Sequence, residues 1–72
     1  MKEWCYNYLN CISRKTGKKL FVGQAYGGYR LEQEEGAGVR DLSPRVKRSE
    51  MEDIISTLMN VVQGLPDMEE KI

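Results

Sequence analysis

The chain has 72 residues, with eleven Lys and Arg balanced by eleven Asp and Glu, two Cys and no His. That length holds one domain with a marginal core, and the residue counts exclude a disulfide-rich secreted scaffold and a zinc site built from one chain. The absence of His also removes the usual general base and the Ser-His and Cys-His nucleophile pairs.

The zero net charge hides an asymmetry. Residues 1–48 carry ten basic and five acidic side chains, a net +5, and residues 49–72 carry six acidic and one basic, a net −5. Such a split bears on partners. No segment reaches the roughly 20 apolar residues of a membrane span. Met1 to Tyr8 lacks the apolar core of a signal peptide. A soluble, cytoplasmic protein is expected. With 40% hydrophobic residues the chain is apolar enough to fold.

Glu3 to Ser13 is predicted to be the first strand, from its aromatic and β-branched content. Trp4, Tyr6, Tyr8 and Ile12 share one parity, and Cys5, Leu9 and Cys11 the other. Ser13 to Lys18 reads as a turn. A three-residue loop, Lys15-Thr16-Gly17, puts the Trp4 set on the core face, and a two-residue loop, Thr16-Gly17, puts the Cys5 set there. The longer loop is favoured, because Thr-Gly suits a type I′ turn less well than Asn-Gly.

Lys19 to Tyr26 is the second strand. Gly27-Gly28, between Tyr26 and Tyr29, predicts a tight hairpin. The implied pairs are Tyr26 with Tyr29, Gln24 with Leu31 and Val22 with Gln33. One face then carries Leu20, Val22, Gln24, Tyr26, Tyr29 and Leu31, and the other Phe21, Gly23, Ala25, Arg30 and Glu32. Glu34 to Gly38 is an acidic, Gly-rich turn. Val39 to Ser43 reads as a short edge strand stopped by Pro44, and Arg45 to Arg48 as a basic connector.

A helix follows. Ser49 and Glu52 form an S-x-x-E capping box, and Glu50, Glu52 and Asp53 complement the helix dipole. Met51, Ile54, Ile55, Leu58, Val61, Val62 and Leu65 recur at helical spacing. Gly64 and Pro66 are stop signals. Asp67 to Ile72 is a polar tail.

The expected fold is α+β: a small antiparallel β-meander of three or four strands with one C-terminal amphipathic helix packed on one face. The domain spans residues 1–66 and the tail 67–72. The expected core is Leu20, Val22, Leu31, Ile54, Ile55, Leu58, Val61 and Val62, with aromatics from the first strand. So few buried aliphatics barely offset chain entropy, and a homodimer is expected to add burial.

Cys5 and Cys11, six residues apart on one strand, would lie about 20 Å from each other and read as reduced structural thiols. Glu34-Glu35 sits in a Gly-rich turn with little preorganisation for catalysis. Gly23 to Tyr29 lacks the following helix and Lys-Ser/Thr of a phosphate loop. No enzymatic activity, cofactor or metal is expected. Arg14, Lys15, Lys18 and Lys19 cluster at one turn, and Arg45, Lys47 and Arg48 precede the helix. With Tyr6, Tyr8, Tyr26 and Tyr29 available for stacking, they are candidate contacts to nucleic acid or another anionic partner.

An antiparallel sheet followed by one helix, from Glu3 through Leu65, resembles the arm-binding domains of tyrosine recombinases in the order of elements. That resemblance implies a sheet laid into the DNA major groove and assigns no residues here. The leading expectation is a non-enzymatic protein-interaction module, of the size and plain chemistry of phage or mobile-element accessory proteins. It would bind itself or a host protein through the uncovered sheet face or a strand edge. Tyr26, Tyr29, Phe21 and Arg30 are its candidate interface. The alternative is nucleic-acid binding by the basic sheet face and the Arg45–Arg48 connector.

Overall fold

The computed structural model describes residues 1–65, so the predicted tail, 67–72, lies outside the described residues. The order is helix α1 (Glu3–Thr16), strands β1 (Lys19–Ala25), β2 (Gly28–Glu35) and β3 (Gly38–Asp41), and helix α2 (Arg48–Val62). The class is α+β with an antiparallel meander, β1-β2-β3. The expectation of a single helix is corrected, because residues 3–16 are helical rather than a strand. The element order that carried the recombinase resemblance is therefore not the one observed.

Spacing explains α1. Cys5, Leu9 and Ile12 fall at i, i+4 and i+7, which is one helical face, and all three are buried. Trp4 and Tyr8, also four apart, meet edge to face with ring centroids 5.0 Å apart. Gly17 ends the helix in the left-handed conformation, φ 70°, and its N–H donates to the Ser13 carbonyl at 2.9 Å. The predicted Lys15-Thr16-Gly17 loop is thus a helix cap. Within α1, Cys5 and Cys11 are separated by a rise of only about 9 Å, not the 20 Å of a strand. Both are free thiols, Cys5 buried and Cys11 half-buried.

The β1–β2 hairpin turns one residue earlier than predicted. Ala25 pairs with Gly28, Gln24 with Tyr29, Val22 with Leu31 and Leu20 with Gln33. Tyr26 and Gly27 form the turn, both with positive φ (52° and 73°). Each β1 residue faces a β2 residue two positions earlier than expected. Because the shift is even, every strand residue keeps its predicted face. Gly28 opens the strand, and glycine suits it because a Cβ there would stand 2.6 Å from Arg45 Cγ and 3.3 Å from the Val46 carbonyl.

β3 covers the second half of the β2 edge, with Glu32 opposite Asp41 and Glu34 opposite Val39. The predicted strand Val39–Ser43 is displaced by one residue at its start and stops at Asp41. The chain beyond β3 still follows β2. Leu42 N–H donates to the Leu31 carbonyl at 2.8 Å, and the Leu31 N–H is met by the Ser43 hydroxyl at 2.9 Å. Val46 and Tyr29 then exchange two backbone bonds of 2.7 Å. Ser43, Pro44 and Arg45 oppose the single residue Arg30, a bulge that Pro44 requires because it has no N–H to donate.

α2 begins at Arg48, directly after the residues held extended up to Val46 and two residues earlier than the predicted Ser49 cap implies. Its cap is Lys47, whose N–H donates to the Glu50 carboxylate at 3.2 Å, in place of the predicted Ser49–Glu52 box. Met51, Ile55 and Val62 are buried and Ile54 and Leu58 partly so, but Val61 is 69% exposed and Leu65 is also exposed. The apolar stripe is therefore narrower than predicted.

Both helices lie on the inner sheet face and pack against each other, α1 also against β1 and α2 against β2. The core cluster is Cys5, Leu9, Leu31, Met51 and Ile55, flanked by Trp4, Tyr8, Leu20, Val22, Tyr29, Val46, Ile54 and Leu58. Among the predicted core residues Val61 is the one at the surface, and α1 supplies the burial that strand aromatics were expected to give.

Candidate interaction edge

β3 and the residues after it cover one edge of β2, which leaves β1 as the other edge strand. In an antiparallel ladder, alternate residues aim their backbone groups at the partner. Ala25 and Gly28 close the turn, so Phe21, Gly23 and Ala25 bond to β2, while Leu20, Val22 and Gln24 aim N–H and C=O outward. The Leu20 N–H donates to the Ser13 hydroxyl at 3.1 Å. Among the described residues, no hydrogen bond engages the outward N–H of Val22 or Gln24.

Natural edge strands are usually blunted by charge, Pro or a bulge. From Leu20 to Tyr26 (Leu-Phe-Val-Gly-Gln-Ala-Tyr) there is no charged residue and no Pro, and the pairing to β2 is unbroken. Phe21, on the outer face, is 38% exposed. Tyr26 at the tip is 96% exposed and held at φ 52°, a region that costs a non-Gly residue strain. Beneath it, Arg45 donates to the Ala25 carbonyl at 3.0 Å and places its guanidinium 5.5 Å from the ring centroid.

The other predicted interface residues lie elsewhere. Tyr29 packs against the core cluster. Arg30 is on the outer face, 3.2 Å from Asp41 and 3.5 Å from Glu32. The Glu32 side chain is only 13% exposed, since its carboxylate folds over Gly23, where a Cβ would overlap it.

The predicted basic contacts form two groups. Arg14 and Lys15 are in the last turn of α1, where Lys15 Nζ donates to the Leu65 carbonyl at 2.5 Å. Lys18 follows, and Lys19 opens β1 opposite an exposed Glu34 at 3.9 Å. Arg45 stands at the opposite end of β1, bonded to Ala25, and Lys47 and Arg48 follow it in the chain as the cap and first residue of α2. The length of β1 separates the groups by about 20 Å. Sequence reasoning missed Val22 and Gln24 as candidate contacts. Their role is in the main chain, and the signal available was the charge-free run around them.

The fold and this edge define a helix–meander–helix α+β domain with one open strand. Comparison with known protein families, with curated proteins and with solved structures finds no match for this chain. No helix among the described residues is long and apolar enough to cross a membrane.

Proposed function

We propose that this protein is a small non-enzymatic interaction module that binds a protein partner by strand addition. An extended segment of the partner would lie along β1 and bond to the outward groups of Val22 and Gln24. The observation that carries this reading is the open β1 edge, uncharged from Leu20 to Tyr26. Main-chain bonds supply affinity in such complexes, and flanking side chains supply selectivity. Phe21 and Tyr26 are aromatic groups of the kind that anchor interfaces.

The two basic groups at opposite ends of β1 give less support to nucleic-acid binding than one continuous stripe would. One experiment addresses both readings. A random-peptide library is selected on the immobilised protein, and labelled DNA and RNA are titrated in low salt. Enriched peptides that bind the protein and lose affinity for a folded Gln24→Pro variant support strand addition. Failure to enrich any peptide, or equal binding by that variant, overturns it. Nucleic-acid binding that falls steeply with salt would favour phosphate recognition instead.

A further inference from the structure

We infer that the occupant of the β1 edge is β1 of a second copy of this chain, paired antiparallel about a two-fold axis at Gly23. This inference rests on the strand-addition reading and names its partner.

The geometry of the edge selects the register. Its open groups belong to Val22 and Gln24, the residues on either side of Gly23. With Gly23 opposite its symmetry mate, Val22 of each copy faces Gln24 of the other, and the two pairs exchange four backbone bonds. Every open N–H of the edge is then used. Centring on Val22 would require the Leu20 N–H, which Ser13 already holds. Centring on Gln24 would set Val22 opposite Tyr26, whose backbone has left the extended conformation.

Side chains agree with the same axis. Two glycines meet at the centre, so neither strand brings a β-carbon to the axis. Phe21 of each copy lies opposite the small Ala25 of the other, on the outer face. Exposed Tyr26 comes to the Leu20 end of the partner strand. From Leu20 to Tyr26 no like charges face each other, because there are none. The Glu32 carboxylates, folded over each Gly23, are the one acidic pair near the axis, and each brings its own Arg30 at 3.5 Å. The product is a continuous six-stranded sheet with all four helices on the same face, because directly opposed antiparallel residues project to one side, and it adds the burial that a 72-residue chain otherwise lacks.

Sedimentation of the full chain from micromolar to millimolar concentration tests this. The expected result is a monomer–dimer equilibrium whose dissociation constant rises at least tenfold in Gln24→Pro, a change that removes an outward N–H and no β1–β2 bond. A wild-type monomer at every concentration overturns the inference, as does a dimer unchanged in a folded Gln24→Pro. If circular dichroism shows that variant unfolded, amide exchange in the wild type decides. Val22 and Gln24 amides that slow with rising concentration support the pairing, and concentration-independent exchange overturns it. A strict monomer that still binds selected peptides along β1 removes the second copy and leaves strand addition standing.

Discussion

The hydroxyl of Ser13, in the last turn of α1, receives the amide hydrogen of Leu20 at 3.1 Å and closes the first outward position of β1. One side-chain oxygen thereby fixes the join between helix and sheet and sets where the open edge begins.

Ser13→Ala leaves the Leu20 N–H without this partner. Losing such a bond costs about 1 kcal/mol. Urea unfolding should show that loss, and Leu20 amide exchange should accelerate more than that of its neighbours. Unchanged exchange at Leu20 would show that the bond does not protect this amide in solution.

Tyr26→Asn should raise stability while weakening association. Asn tolerates the left-handed region better and completes the Asn-Gly pair favoured in type I′ turns. The gain should be below about 1 kcal/mol, because the contact with Arg45 is lost. A thermal melt and a binding titration on the same variant separate the two effects. A variant that loses stability and keeps full affinity contradicts this view of the tip.

Ile55→Ala and Val61→Ala, six residues apart on α2, should differ sharply. Ile55 is fully buried in the core cluster, so its truncation should cost about 2–5 kcal/mol. Val61 is exposed, and its truncation should stay within about 0.5 kcal/mol. Chemical denaturation of the pair measures the contrast.

The thiols should separate in reactivity. Burial, aided by the nearby Glu52 carboxylate, pushes the Cys5 thiol above its ordinary value of 9.0. A thiol reagent at pH 8 should modify Cys11 first and reach Cys5 only as the protein opens. The unfolded chain releases the Cys5 proton at lower pH than the folded one. This contribution to stability is therefore intact below pH 9 and falls as pH rises above it. A stability profile that stays flat or rises from pH 8 to 10 in the wild type, relative to Cys5→Ala, would contradict the sign.

Strong local signals made part of this architecture legible. Gly27 marked the hairpin, and strand parity then assigned Leu20, Val22 and Leu31 to the inner face despite a turn displaced by one residue. The helical spacing of Met51, Ile55 and Leu58 marked α2. Residues 4–12 satisfied both periods, since Trp4, Tyr6 and Tyr8 alternate while Cys5, Leu9 and Ile12 line a helix. Aromatic content favoured the strand. The helix signals were present in the Arg14-Lys15 pair near the end and in Gly17 after it. The edge was partly legible, because a charge-free Leu20–Tyr26 run is visible without coordinates.

By itself, then, the sequence determined the α+β class, the two faces of the hairpin and the position of α2, because each follows from chemistry within a few residues. Only the tertiary structure decided that residues 3–16 are helical, since that choice depends on Cys5 and Leu9 meeting Met51 and Ile55 from the far end of the chain. It also decided the turn at Tyr26-Gly27, where Gly28 takes a strand position enclosed by Arg45 and Val46. With α1 removed from the sheet, β1 became its edge, and the main-chain groups of Val22 and Gln24 became the surface on which the proposed function rests.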